Sequence, residues 1–366
     1  MTITIDKLFE LQQLTGPSEK DEDWLYYDIN KLTSQNYKTN IESKEKQISY
    51  DFYIYFLNGK LINHKLPDNV TITHHKISPR KTKNNFIHLA IANSESYKIK
   101  FIENSNPIHL IYESTSETFT SHSIEIECSE HTSNEIQRHF ISQNNACLTS
   151  YMNVILNKNS KITVCDFNEN NQGKILDFVD GSLDENCNFF SINQTYLSHN
   201  SRFQNRIFIN GENSNATLHG LAINERKQAC YYNTHIYHDT ENSESHQLFK
   251  SMVKEDAILE YNGKVTVCPK AQLTNSYQLN QNILLDEYAN VYSRPQLFID
   301  ADDVRCTHGS TTGDINEHEV LYLMSRGLDR LSSRKIVLNG FIEEIFNKEE
   351  FQKHQKNIHS ILNQIL

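Results

Sequence analysis

The sequence reads as a mainly β chain with a mixed N-terminal region and a helical C-terminal region. Three features point to it. From residue 85 to 313 helical periodicity is scarce, and short runs rich in Ile, Val, Tyr, Phe and Thr alternate with polar turns. Over residues 1–84 a helical spacing and a hairpin pattern stand side by side. Over residues 314–366 apolar side chains return at spacings of three to five.

The N-terminal region opens with Ile5, Leu8, Leu11 and Leu14 at helical spacing, followed by a break at Gly16-Pro17-Ser18. A second helical segment is predicted over 21–32, around the single tryptophan, Trp24, with acids at its start. The run from Tyr50 to Leu66 then predicts two strands about Asn58-Gly59. That dipeptide supplies the positive φ values of a tight hairpin turn.

In the β region, runs such as KIKFIEN, PIHLIYE, SIEIECS, KITVCDF and QLFIDADDV predict strands. Turns are predicted at Asn157–Ser160, Gly211–Asn213, Asn262-Gly263 and Asp302-Asp303. Two architectures satisfy this pattern: a β-solenoid or a large double-layered sheet. Asparagine-rich corners suit the solenoid, because Asn tolerates left-handed backbone and bonds its neighbours' main chain.

In the C-terminal region Val320, Leu321, Leu323 and Met324 share a helical face, with Gly327 as the stop. Ile336, Val337, Phe341, Ile345 and Phe346 predict a second helix over 332–346, capped by Ser332 or Ser333. Phe351, Ile358, Ile361, Leu362 and Ile365 continue the pattern. These thin apolar faces must meet either the β body or a partner.

Composition narrows the function. The 366 residues carry a formal charge of −11, which disfavours a general nucleic-acid binder. No apolar run is long enough for a membrane span, and the acid in MTITIDKLFELQQL is unlike a signal peptide, so a cytoplasmic protein is expected. The seven cysteines stand singly with no Cys-x-x-Cys pair, which speaks against a disulfide framework or a thiolate zinc site. No Gly-x-x-x-x-Gly-Lys-Ser/Thr loop is present, so the sequence has no phosphate cradle of that type.

Residues 293–330 contain Pro295, Leu297, Ile299, Ala301-Asp302-Asp303-Val304, Cys306, His308-Gly309 and Ser325-Arg326-Gly327. Upstream stand a Gly-Lys strand at 263–264 and a Gln-x-Asn-x-Asn-x-Leu-Leu segment within 278–285. This set resembles the SufB/SufD family of iron–sulfur cluster assembly proteins, and the Cys-x-His-Gly form is similar to its SufD branch. The resemblance implies a right-handed parallel β-helix between the two flanking regions. It also implies a scaffold subunit rather than an enzyme. Such a subunit would pair with a SufB-like chain and dock a SufC-like ABC ATPase that carries the nucleotide chemistry.

Val304, Cys306 and His308 lie at alternate positions, so on an extended strand they share one face. Cys306 and His308 would then stand ~7 Å apart at Cα. Thiolate and imidazole are plausible donors to iron or an iron–sulfur cluster. Spacing alone leaves the pair open to a core cysteine and a hydrogen-bonded strand histidine. The resemblance favours His308 as the ligand, with Cys306 second. Two donors hold no cluster, so the expectation is a transient iron or cluster shared with a partner, and none bound tightly by the chain alone.

His235, His238 and His246 form a second histidine group, read as core or surface side chains because strand alternation separates them. Asp302 and Asp303 are read as a backbone-bonding corner. Cys128, Cys147, Cys165, Cys187, Cys230 and Cys268 are read as thiols without a ligand role. Val337, Leu338, Phe341 and Ile345 are the candidate docking face for the ATPase, with packing on the β body as the alternative. An open solenoid edge would also permit a homodimer. Two rival readings are a SufB-like scaffold able to hold a cluster alone and a carbohydrate-active β-helix enzyme with paired carboxylates in a groove.

Overall fold

The computed structural model describes residues 2–18, 20–38, 46–80, 82, 84–355 and 358–366. Alternation of polar and apolar residues along ten-residue strands sets the architecture. Inward side chains meet between two parallel sheets, and outward ones face the flanking regions. One sheet contains Phe119–Cys128, Cys147–Leu156, Lys174–Leu183, Asn200–Ile209, Ala229–His238, Ile258–Val267 and Asn290–Ile299. The other contains Ile108–Ser114, Ser133–Ser142, Lys161–Glu169, Asn188–Tyr196, Asn215–Asn224, Glu244–Val253, Asn275–Leu284 and Arg305–Asp314. Consecutive strands alternate between the sheets, and each pairs in parallel with the strand one coil earlier. Lys174 pairs with Asn200, 26 residues on, and Ile258 pairs with Asn290, 32 residues on. This is a parallel β-solenoid, which resolves the choice that the strand pattern left open.

The corners explain the asparagines. Each connection between consecutive strands from Glu117 to Leu273 places one residue in the left-handed region, at φ between 49° and 63°. Asn145, Asn159, Asn170, Asn186, Asn213 and Asn242 occupy half of these positions. Four of their N–H groups reach the next coil: Asn159 donates to the Glu185 carbonyl, Asn170 to that of Tyr196, Asn186 to that of Glu212 and Asn242 to that of Gln272. Left-handed corners thus stack one on another and keep the coils in register.

The Asn58-Gly59 hairpin forms as expected, with φ of 50° and 83°. Its strands, Tyr53–Leu57 and Lys60–Lys65, extend one sheet at the N-terminal end of the solenoid. Val70–His74 extends the other, antiparallel to Ser96–Phe101. Helices Ile5–Leu11 and Asn85–Ala92 bring Phe9 and Phe86, with Trp24, against Tyr151, Phe178 and Tyr231 on the outer face of the first sheet. Helices Glu317–Ser325 and Arg330–Glu343, with the short turns beyond, cover the outer face of the second. There Leu338, Ile342, Phe346 and Ile361 meet Phe190, Leu221 and Leu248.

Four local expectations change. Asn262-Gly263 is not a turn but lies inside strand Ile258–Val267. Gly263 faces the interior, where a Cβ would fall 2.0 Å from Gln278 Nε2 and 2.3 Å from the Tyr261 hydroxyl, so crowding accounts for it. The segment 21–32 splits into a 3₁₀ turn, Glu22–Trp24, and a helix, Ile29–Ser34, because Asp28 caps the second through Lys31 N–H. Residues 85–92 are helical, ahead of the solenoid strands. The helix predicted from 332 begins at Arg330, with Asp329 accepting from Ser332 N–H. The Ile358 side chain lies outside the described residues.

The interior is not uniformly apolar. Arg138, Asp166 and Asp177 are buried between the sheets. Arg138 Nε and Nη2 donate to Asp166 at 2.7 Å each, and Nη1 and Nη2 donate to Asp177 at 2.9 and 2.8 Å. Ser150 also donates to Asp177. Burial raises the Asp177 carboxyl, which Arg138 opposes. Removing the cation would leave two carboxylates without a counter-ion in the core. Arg138→Met is therefore expected to destabilise the chain by about 3–5 kcal/mol. Adding Asp166→Asn and Asp177→Asn should recover much of the loss, as measured by urea unfolding.

Burial also holds His122 and His219 down to about 3, and His238 down to about 4. Their unfolded value lies near 6.5, so the unfolded chain takes up protons that the folded chain refuses. Their stabilising contribution is complete above about pH 6.5 and is lost as pH falls toward 4. The urea midpoint should decline from about pH 6.5 downward. A midpoint constant to pH 5 would show that these rings are protonated within the folded state.

Candidate functional site

The solenoid ends in two uncovered strands. Asn290–Ile299 and Arg305–Asp314 are the last strands of their sheets, each paired on one side only. Between them the corner Ala301–Val304 is tied to the preceding corner: Leu273 N–H donates to the Asp303 carbonyl at 2.6 Å, and Asp303 N–H donates to Gln272 Oε1 at 2.9 Å. Asp302 and Asp303 thus stand at a corner whose main chain is fixed by neighbours.

Cys306 and His308 fall on the inward face of Arg305–Asp314. They stack in register on Ser276 and Gln278, and Ser310 and Thr312 stack on Asn280 and Asn282. Among the described residues no further coil covers this row. His308 is exposed and Cys306 is half-buried. Cys306 packs with Val304, Leu297, Ala301 and Val265 in a small apolar cluster. That burial pushes its thiol up, against a hydrogen bond from the Ser276 main chain. The structure thus brings the two predicted residues to one open face, while the thiol keeps its proton more firmly than a free cysteine.

Sequence spacing missed the polar frame around them. Ser293 Oγ donates to Asn280 Oδ1 at 2.7 Å and lies 2.7 Å from Ser310 Oγ, linking the two terminal strands across the open end. Asn282 Nδ2 reaches Thr312 Oγ1 at 3.2 Å. The alternating Gln278, Asn280 and Asn282 were the available signal, since alternate amides on a strand share a face.

The outer face of Asn290–Ile299 carries a strap from the N-terminal region. Tyr26 stacks on Tyr292 at 3.9 Å. Glu22 accepts from Gln296 at 2.9 Å, and Asp23 accepts from Lys264 at 3.0 Å. The hydrogen bond from Gln296, followed by the charge of Lys264, lowers the Glu22 carboxyl.

The remaining candidates separate. His235 lies on the outer face of the first sheet beside Thr266, at 2.8 Å. His238 is buried between Ser243 and Ser245. His246 sits on the outer face of the other sheet against His219. Cys128, Cys147, Cys165, Cys187 and Cys230 are buried, and Cys268 is partly so. Among the described residues no group of three or more His, Cys, Asp or Glu side chains is arranged to hold a metal ion. In the C-terminal region Leu338 and Ile345 are fully buried against the solenoid, so packing accounts for them and they offer no docking surface. Val337 and Phe341 are partly buried and line a groove of about 560 Å³ with Tyr322, Leu323, Ile336 and Glu319. No helix among the described residues is long and apolar enough to cross a membrane.

Comparison with known proteins adds the following. The family model for the SufBD core domain of SUF-system FeS cluster assembly matches residues 110–341. The iron–sulfur cluster assembly protein SufD of Escherichia coli is 33% identical over 156 residues, 43% of this chain and 36% of that protein. The SufBD family protein slr0076 of Synechocystis is 41% identical over 104 residues, 28% of this chain and 23% of that protein. SufD of Plasmodium berghei is 24% identical over 364 residues, 93% of this chain and 25% of that protein. The chain therefore spans well under half the length of each of these relatives.

Because its thiol is held up by burial, Cys306 should alkylate with iodoacetamide more slowly at pH 8 than an unstructured cysteine peptide, despite its partial exposure. Peptide mass spectrometry reads the rate. A faster rate than the peptide would contradict the apolar setting of the thiol.

Proposed function

Because the chain belongs to the SufBD family of SUF-system iron–sulfur cluster assembly proteins, we propose that it works as a SufD-like subunit whose open solenoid end meets a SufB-like partner. The observation that supports this most is the pairing of two features at one place. The uncovered strands Asn290–Ile299 and Arg305–Asp314 offer main-chain groups for strand addition, and His308 and Cys306 stand exposed or half-exposed on the face between them. A partner strand seated on this edge would bring its own side chains to the same face. Imidazole from His308, and sulfur from Cys306 once deprotonated, would supply part of the coordination of iron or a nascent cluster. The partner would supply the rest.

Phe298 and Ile299 on the edge strand, 50% and 39% exposed, would be covered on association. The same free edges would let the isolated chain pair with a second copy. The groove beside Val337 and Phe341, rimmed by Asp314, Glu319 and Glu344, is the proposed seat for a SufC-like ATPase. Nucleotide-driven movement there would bias the seam only through a difference in ATPase affinity between its open and closed states. The chain itself would contribute ligands and docking surfaces rather than turnover, in the cytoplasm.

The test is His308→Ala in a complex reconstituted with the SufB-like and SufC-like subunits. Cluster formation, followed by visible absorption, is expected to fall at least tenfold while complex assembly on a sizing column is retained. Cys306→Ser should cost less. Undiminished cluster formation in His308→Ala would end the ligand assignment.

A further inference from the structure

The inward amide row beneath the open end follows a pattern with one gap. Gln278, Asn280 and Asn282 are all buried, and each stands in register with one residue of the terminal strand. Asn282 bonds its own register partner, Thr312, through Nδ2 at 3.2 Å. Asn280 reaches its register partner, Ser310, through the Ser293 hydroxyl, by two contacts of 2.7 Å. The register partner of Gln278 is His308. Gln278 is fully buried; its Nε2 lies beside the Tyr261 hydroxyl, while its Oε1 has no hydrogen-bond partner among the described residues. His308 has no hydrogen-bond partner among the described residues either.

A buried amide oxygen without a partner is costly, and the neighbouring imidazole is the donor that stands in register with it. In-register neighbours on parallel strands are about 4.8 Å apart, within reach of these two side chains. Gly263 on the facing strand makes room for the Gln278 side chain, since any Cβ there would collide with its amide.

We propose that Gln278 is the positioning residue for His308. Its Oε1 accepts the ring N–H, fixing one tautomer and leaving the other ring nitrogen free to face the partner side of the open end. Metal-binding imidazoles generally need such an acceptor on the far nitrogen. Asn280 and Asn282 hold the strand, and Gln278 holds the ring. This assignment rests on the reading of His308 as a ligand, but it is tested on the metal-free chain.

The experiment is nitrogen-15 spectroscopy of the full chain labelled at histidine, at pH 8.5, with His308 assigned by His308→Ala. In the native chain one His308 ring nitrogen should be protonated and the other bare. The ring N–H should persist against solvent exchange and show a nuclear Overhauser contact to the Gln278 side-chain amide. Gln278→Met, similar in volume but without an acceptor, should draw the two nitrogen shifts together as tautomers interconvert. Gln278→Glu should restore their separation. In the reconstituted complex Gln278→Met should slow cluster formation by about 10- to 100-fold. Equal shifts in the native chain and Gln278→Met would overturn the proposal. So would a rapidly exchanging ring N–H without contact to residue 278 in the native chain, which needs no variant to fold. Either result leaves the His308→Ala test of the ligand role standing.

Discussion

Parallel in-register stacking of successive coils is the constraint on which the rest of this structure depends. Each coil satisfies the main chain of the coil before it and leaves its own outer side unsatisfied until the next arrives. At the N-terminal end the antiparallel pairs Val70–His74 with Ser96–Phe101 and Tyr53–Leu57 with Lys60–Lys65 change the direction of pairing. At the C-terminal end the stack stops at Asn290–Ile299 and Arg305–Asp314, and the chain turns away into helices that pack on a sheet face rather than over the end. The open parallel edge at this end is therefore also where His308 and Cys306 emerge. Fold and site are the same fact seen twice.

The stacking also sets what the interior can contain. Because side chains in one column repeat from coil to coil, like groups lie above like groups. Apolar columns fill most of the space, but Arg138 with Asp166 and Asp177, and the amides at 278, 280 and 282, form polar columns. Arg138 with its two aspartates, and Asn280 with Asn282, are held by each other and cannot shift register without losing partners. Polar columns thus penalise a slipped coil more sharply than interchangeable aliphatic ones.

Much of this was legible in the residues. The change of period at the two ends of the β region, the Asn58-Gly59 hairpin and the asparagine corners followed from local backbone preference, which acts over a few positions. The solenoid itself did not follow, because its repeat ranges from 26 to 32 residues and shows no repeated motif. Family resemblance supplied that step. Asn262-Gly263 misled for a related reason: the glycine answers to Gln278 and Tyr261 across the interior, a contact invisible in linear order. Alternation placed Cys306 and His308 on one face, yet it could not say that no coil would cover them. Nor could helical spacing tell which of Val337, Leu338, Phe341 and Ile345 would be used against the solenoid.

The strap at residues 22–26 has a consequence for assembly of the chain in time. Its partners, Tyr292, Arg294 and Gln296, lie more than 260 residues downstream. A ribosome must therefore make nearly the whole solenoid before this early segment can settle on it. Until then Glu22 and Tyr26 lack their partners, although Trp24 between them can already seat on Phe86 and Arg202. Such distant closure carries a large entropic cost and slows the last step of folding. The stitch joining early and late sequence also reports completeness, since a truncated translation product lacking the final coils could never close it.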